Sequence, residues 1–591
     1  MADLAAQPTS IQSVYNWFRE NRLFVNRRYQ RKLVWTLEEK QKLIDSILNR
    51  YPIPAILIAE KEDAAGSYEI IDGLQRLHAI LSFIETSFST EEGSLFNLEF
   101  FPTAKGYAAS GVFMAELGEK YLNQKQVSTI LDYSLALSVM RNASEAEVND
   151  VFDRINTYGH RLSDQERRQA GVQNEFSTLV RDIACKLRGD VSSDILPLSS
   201  MPSISIDLPK TRHGYEVKAD EVFWVNQGVL RSTDLRDSMD EQCIADIAAC
   251  IVGGVMIERA KDALDEIYLE GSKEADRVLT ALEVYGSEKL TDEFGFCVQE
   301  ILKVSNVNGG EKLRDIIYGR KSTNAFSSVF AIIMIAFHEM FIKERKKISD
   351  YAGIRKALDM LSGRINTDRS STSVEERRKN VDAIKGLIAP FFSASTDLAK
   401  EIYANHTVVD IDAVIRRSEI ELANYELKQG LLTLAPSGGE EPNMIQKVVR
   451  TISAIANNGP KSMGKIIIGV TDKEEHANRA KEVDGVEPVK IGARYVVGVN
   501  REAKRLGIST ESYFSKWKDG IKNSQLSTAL RDSVLSSIDY NTYYGLGLIV
   551  ITVQPQAELS YVGEDLYWRE GDSTVKAEGA RKAAELARRF M

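Results

Sequence analysis

The stretch from Tyr68 to Ile84, "YEIIDGLQRLHAILSFI", changes its hydrophobic period in mid-course. Ile70 and Ile71 close a strand-like run, whereas Leu77, Ile80, Leu81 and Ile84 recur at the spacing of one helix face. A strand turning directly into a helix satisfies both patterns, and it commits this part of the chain to an α/β arrangement. Asp72, Gly73, Gln75 and Arg76 fall in the turn. A glycine there lets the backbone approach a ligand, and the helix start offers unpaired N–H groups and the positive end of a dipole, a combination suited to phosphate. Arg76 adds a forked donor, Asp72 a group that holds a metal or orients water, and Gln75 a second group for orienting water. The plainer reading is a structural turn in which Asp72 caps the helix and Arg76 pairs with a surface acid. His78, one step further on, reads as a partly exposed helix residue.

The surroundings support a mixed fold. "TLEEKQKLIDSILNR" opens with a capping box, Thr36 with Glu39, and sets Leu43, Ile44, Ile47 and Leu48 on one face, while "IPAILIAE" is a short buried strand. From about residue 121 to 402 the patterns are mostly helical, with acids and bases interspersed as on solvated faces. The texture changes again after Asp410: the amphipathic helix "NMIQKVVRTISAIANN", the strands "KIIIGVTD" and "GLGLIVITVQP", and a terminal helix form a second α/β unit. A chain of 591 residues exceeds a single core. The expected division is an α/β head over residues 10–105, a helical middle over 106–404 and an α/β tail over 405–591.

The formal charge of −10 excludes bulk attraction to nucleic acid but leaves room for a local basic groove. Cys185, Cys243, Cys250 and Cys297 form no C-x-x-C pair, so reduced thiols in a cytoplasmic protein are expected. "MADLAAQPTS" has neither a basic start nor an apolar core, so no signal peptide is expected, and Phe326–Ile342 reads as a buried helix and not a membrane span.

Two further stretches give the turn its context. "RYQRKLVW" carries Tyr29, Gln30, Arg31 and Trp35, and "VFDRINTYGHRLS" carries Arg154, Asn156, Gly159, Leu162 and Ser163. The ordered set Y-Q-R-x-x-x-W, I-D-G-x-Q-R and F-x-R-I-N-x-x-G-x-x-L-S resembles the amino-terminal domain family of GmrSD-type modification-dependent restriction enzymes, with Leu74 standing where the family's D-G-Q-Q-R pattern has its first Gln. The resemblance implies a ParB/sulfiredoxin-like head with a helical extension that binds, and often hydrolyses, a nucleotide (GTP or ATP) in defence against foreign DNA. It assigns Tyr29, Gln30, Arg31, Asp72, Gly73, Gln75, Arg76, Arg154 and Asn156 to nucleotide binding.

In the tail, "IELANYELKQG" carries Glu421, Glu426 and Lys428. Glu426 and Lys428 are two apart, so on a strand they share a face, and Asp472 ends "KIIIGVTD". Carboxylates with a lysine are what a divalent-metal phosphodiesterase uses to hold Mg2+ or Mn2+ and stabilise developing charge; the plainer reading is a solvated strand face. The series E-x-x-x-x-E-L-K, "TISAIANN", "IIIGVTD" and "LYWREGDST" resembles the Schlafen AlbA-type domain. That resemblance implies nucleic-acid binding or RNA cleavage, with Glu421, Glu426 and Asp472 as the metal-holding acids and Lys428 beside them. Lys447, Arg450 and Arg569 are the candidate phosphate contacts.

The expectation is a restriction-like defence protein whose nucleotide state controls metal-dependent cleavage of nucleic acid by the tail, with RNA ahead of DNA. Two alternatives are a non-catalytic DNA- or RNA-binding regulator and a nuclease located in the head. No membrane partner is expected, and homo-oligomerisation is left open.

Overall fold

The computed structural model describes residues 3–26, 33, 35–61, 64–110, 112–144, 147–148, 150–151, 154, 163–171, 173–189, 195–201, 203–205, 216–307, 311–321, 323–395, 402, 411–412, 414–415, 418, 423–434, 439–460, 462–543 and 545–590. The chain is a mixed α+β protein made of two compact units, Met1–Tyr403 and Ala404–Met591.

The first unit opens with a six-stranded mixed sheet. Its strands, in chain order, are β1 (Asp3–Ser10), β2 (Leu23–Asn26), β3 (Ile56–Glu60), β4 (Tyr68–Asp72), β5 (Ser134–Arg141) and β6 (Ile195–Pro197), and their spatial order is β1-β5-β3-β4-β2-β6. β2 and β4 run parallel at its centre, and β3 and β4 form an antiparallel pair. Helices α1 (Ile11–Arg19), α2 (Leu37–Leu48) and α3 (Leu74–Ile84) contribute Ile11, Ile44, Leu77 and Phe83 to the buried cluster that also holds Ile58 and Ile70. The α2 start carries the expected capping box: Thr36 Oγ1 accepts from Glu39 N at 3.3 Å, and Glu39 Oε2 accepts from Thr36 N at 2.7 Å. His78 corrects the sequence reading. α3 is buried along most of its circumference, and His78 is only 2% exposed.

The rest of this unit is mostly helical with a few two-stranded ribbons, built on α4 (Met239–Gly253), α5 (Ser287–Asn306), α6 (Ser327–His338) and α7 (Val374–Ile388). Its charges do not all lie on solvated faces. Asp246 is buried between Arg377, which donates to both its oxygens at 2.7 and 2.9 Å, and Arg259 at 2.6 Å. Arg188 is buried against Asp240 and Glu241. Taking charges from water costs several kcal/mol per ion unless they pair, so the acids inside the bundle face guanidinium groups. Among the described residues no helix is long and apolar enough to cross a membrane.

The second unit has a four-stranded sheet of β7 (Tyr425–Lys428), β8 (Gly464–Ile468), β12 (Ile538–Tyr543) and β13 (Leu546–Val553), in the order β7-β8-β13-β12. A three-stranded sheet holds β9 (Val470–Thr471), β10 (Val489–Ile491) and β11 (Arg494–Val496) in the order β9-β11-β10. β14 (Asp565–Glu570) pairs with Ser573–Lys576, and helix α8 (Met444–Ala456) buries Val448, Ile452 and Ile455 against the four-stranded sheet. The expected single strand "KIIIGVTD" is two strands. Gly469, at φ 107°, breaks it where a Cβ would sit 2.6 Å from Leu548 Cδ2, and its carbonyl accepts from Val497 and Gly498.

Candidate functional site

In the tail, β7 sets Glu426 and Lys428 on one face, and Lys428 Nζ donates to Glu426 Oε1 at 2.5 Å. The other oxygen, Oε2, accepts from Arg569 Nη1 at 2.8 Å. Arg569 also reaches Thr574 Oγ1 at 2.9 Å and the Tyr425 carbonyl at 3.2 Å, with its side chain almost wholly buried. This corrects the phosphate contact expected of Arg569: the guanidinium is an internal counter-ion that fixes Glu426. Lys447 and Arg450 do lie exposed on α8. Lys447 pairs with Glu441 at 2.6 Å, and Arg450 stacks over the Tyr567 ring at 5.7 Å.

The segment around β7 is held at one end by the partly buried Asn458 and at the other by the buried Glu502. Asn458 Nδ2 donates to the Ala423 carbonyl and to Asn424 Oδ1, both at 2.9 Å. Beyond Lys428, Glu502 accepts from Leu431 N at 2.7 Å, Leu432 N at 3.0 Å, Tyr513 Oη at 2.6 Å and Arg501 Nη2 at 2.9 Å. Burial raises the Glu502 carboxyl above its usual range against the pull of Arg501.

Asp472 follows β9 in the other sheet, is 54% exposed, and has Arg494 Nη1 at 3.9 Å. Glu421 lies outside the described residues. Among the described residues no three His, Cys, Asp or Glu side chains gather as a metal would require. With both Glu426 oxygens taken by cations, the described donors do not fit a divalent ion.

In the head, the register between β3 and β4 slips by one residue. Ile58 pairs with Ile70, but Leu57 pairs with Asp72, which leaves Ile71 as the extra residue of a bulge. Cross-strand partners project to one face. Ile58 and Ile70 belong to the main core, whereas Leu57 and Ile71 belong to a smaller cluster with Ala59, Met140, Ala143 and Val148. The bulge therefore sends Asp72 away from the core side and onto this second face, at the carboxyl end of β4. Gly73 follows at φ 96°, where a Cβ would meet Ile56 Cγ1 at 2.8 Å. It is the residue before α3, and no side chain caps the helix start among the described residues.

Arg76, one turn into α3, donates Nη2 to Asp72 Oδ2 at 2.7 Å and Nη1 to the carbonyls of Pro54 and Ala55 at 2.7 and 3.0 Å. Asp72 thus pairs with Arg76 instead of capping the helix, and its side chain stays 43% exposed. Gln75 Oε1 accepts from Trp35 N at 3.3 Å, tying the turn to the residue before the Thr36 cap of α2. Asn26, at the carboxyl end of β2, donates to Glu69 Oε1 at 3.2 Å. In sheets of this kind ligands bind beyond the carboxyl ends of parallel strands. Behind the turn, Glu85 at the far end of α3 accepts from Tyr15 Oη at 2.8 Å and pairs with Arg19.

Residues 14–172 match the GmrSD restriction endonuclease, N-terminal domain family. No curated protein matches the chain.

The matched region thus holds four of the sheet's six strands, β2 to β5, and the turn that carries Asp72. Of its expected site residues, Asp72, Gly73, Gln75 and Arg76 form one connected turn. Arg154 is exposed and pairs with Asp150 at 3.0 Å. Tyr29, Gln30, Arg31 and Asn156 lie outside the described residues. The sequence reading of the GmrSD-type region passed over Asn26 and Glu69. The signal was present: "LFVN" is an apolar strand that ends on an amide, and Glu69 sits between the core residues Tyr68 and Ile70.

Proposed function

We propose that this chain is a restriction-like defence protein in which the GmrSD-type head binds a nucleotide, GTP or ATP, and that this binding governs the action of the tail on nucleic acid. The family match over residues 14–172 supports the defence reading. The observation that carries the nucleotide reading is the turn itself: a half-exposed carboxylate, a left-handed glycine and a helix start at the carboxyl ends of two parallel strands. A phosphate at the α3 start meets backbone N–H groups and the positive dipole end. Arg76 serves as a positioning residue, holding Asp72 and the Pro54–Ala55 segment. The Tyr29–Arg31 stretch and Asn156 complete the ligand contacts in this reading.

For the tail we propose nucleic-acid binding through the exposed cations Lys447 and Arg450, with RNA or DNA as partner. A second reading, metal-dependent cleavage by an AlbA-like tail holding Mg2+ or Mn2+ under a ParB-like head, has one observation in its favour: Glu426 and Lys428 share a strand face. It requires Glu426 to release a cation. The test is to incubate the full-length protein with RNA and with DNA, with and without Mg2+ or Mn2+ and GTP or ATP. Salt-dependent binding without turnover is expected. Metal-dependent cleavage lost in Glu426→Gln would install the second reading; cleavage lost in Asp72→Asn alone would move the chemistry to the head. Failure of both nucleotides to bind the wild type would end the head's assignment.

A further inference from the structure

The helical bundle carries more positive than negative charge at one of its cavities. Asp246, on α4, is buried between two guanidinium groups: Arg377 donates to both its oxygens and Arg259 to Oδ2. One carboxylate neutralises only one of them. Arg377 is buried with the acid, whereas Arg259 keeps 16% of its side chain exposed. Taking an unbalanced charge from water costs several kcal/mol, so the surplus belongs where a further anion or water reaches it. Arg259 meets that condition. It lines a cavity of about 310 Å³ together with Arg168, Lys261, Asp164 and Gln242. That volume lies at the small end of ligand pockets.

The polar groups of this wall are rich in donors. Arg259 gives one hydrogen bond to Asp246 Oδ2 at 2.6 Å and one to Ser327 Oγ at 3.0 Å, and a guanidinium has more to give. Lys261, with half its side chain exposed, donates Nζ to Asp164 Oδ1 at 2.7 Å and keeps further donors. Arg168 is largely spent on Asp265, Gln165, Gln242 and the Lys261 carbonyl, so it supplies charge more than contacts. Gln242 turns Oε1 to Arg168 at 3.3 Å, which leaves its Nε2 as a donor. The acceptors are engaged: both Asp246 oxygens by arginine, and Asp164 Oδ1 by Lys261 and Arg167. Lys261, with Arg167 and Arg168 adding their charge, holds the Asp164 carboxyl below its usual range. Counted with its ion-pair partners, the wall sets five arginines and lysines against three aspartates.

We propose that this cavity binds a phosphate group, as the free ion or as a monoester, held by Arg259 and Lys261 with Gln242 as a neutral donor. The oxygens of an ionised phosphate accept hydrogen bonds, which matches a wall with donors to spare. Phosphate carries about two negative charges near pH 7, which matches the surplus of positive charge. A metal cation is repelled by the same surplus, and a carboxylate answers only half of it. The cavity lies between the helix Asp164–Gly171, the last of the region matched by the family, and α4 of the bundle. The site shares no residue with the Asp72 turn and does not depend on nucleotide binding there.

The test is calorimetric titration of the full-length protein with inorganic phosphate, ribose 5-phosphate and acetate. One or both phosphates bind saturably, and acetate binds at least tenfold more weakly. Lys261→Glu reverses a half-exposed charge on the wall and weakens phosphate binding at least tenfold. Gln242→Glu, which keeps an acceptor for Arg168 but replaces the donor, does the same. Lys105→Glu, an equal charge change at an exposed lysine of the head, leaves the binding unchanged. Binding of ribose 5-phosphate assigns the cavity to a monoester, and binding of inorganic phosphate alone assigns it to the free ion. Absence of saturable binding by both phosphates, acetate binding as tightly, an equal loss in Lys105→Glu, or binding unmoved by Lys261→Glu and Gln242→Glu overturns the proposal. Should one of these two wall variants fail to fold, the other decides.

Discussion

The head and the tail share a plan but leave their key acids in opposite electrostatic states. Each sets a carboxylate on a strand beside a helix and backs it with a buried Glu–Arg–Tyr group: Glu85 with Arg19 and Tyr15 in the head, Glu502 with Arg501 and Tyr513 in the tail. In the head, Asp72 shares one arginine, which also serves two backbone carbonyls, and the carboxylate remains half-exposed. In the tail, Glu426 lies between an ammonium and a buried guanidinium and is 15% exposed. An acid so compensated is a poor ligand for a further cation, whereas an acid with an open face can meet a nucleotide-bound ion or water. The same residue class therefore serves as fixture in one place and as candidate functional group in the other.

The largest expected effect that tests this contrast is Arg569→Met. Removing one member of a buried pair strands the other, so the second unit should lose about 3–5 kcal/mol in urea unfolding; a loss below about 1 kcal/mol would mean that Glu426 does not need the guanidinium. In the head, Gly73→Ala meets both a left-handed backbone and Ile56, and should destabilise the first unit by about 2–3 kcal/mol.

Acid should separate the two units further. Burial opposes ionisation of Glu339, but hydrogen bonds from Arg378 and Lys385 outweigh it and hold the carboxyl at about 2. Its stabilising contribution is complete above the ordinary value of about 4.5 and is lost as pH falls from there through about 2. Glu502, raised by burial, goes the other way: its folded state favours the proton, so the second unit gains at this site as pH falls toward about 4.5. Hydrogen exchange followed in each unit against pH should show the divergence, flattened by Glu339→Gln in the first unit and by Glu502→Gln in the second. The smallest stability change belongs to Asp72→Asn, within about 1 kcal/mol because the pair is partly solvated. Nucleotide affinity, measured by calorimetry, should nevertheless fall at least tenfold.

Local patterns carried the sequence reading a long way. The change of rhythm at Asp72 marks the β4–α3 junction, and Thr36 with Glu39 marks the start of α2. These features are encoded within a few residues. What escaped depends on partners far along the chain. "YWREGDST" gives no sign that Arg569 meets Glu426, 143 residues earlier. Gly469, inside a β-branched run, gave no sign that it separates Asp472 from the sheet bearing Glu426. The acids of the helical bundle looked solvated because their guanidinium partners lie on other helices, as Asp246 and Arg377 do, 131 positions apart. Period reports which face is apolar; it is silent about which cation a buried acid will find.

The surplus Ile71 of the β3–β4 bulge has a consequence for how such a protein can change. Parity along an extended segment decides whether a given side chain meets oil or water, and one surplus amino acid inverts it for everything downstream. Excising that single isoleucine would restore strict alternation and leave Asp72 opposite Leu57 on the same face, at the loss of one apolar side chain from the smaller cluster. The aspartate's face is therefore set by its pairing with Leu57 and survives a codon-length deletion that its own replacement would not.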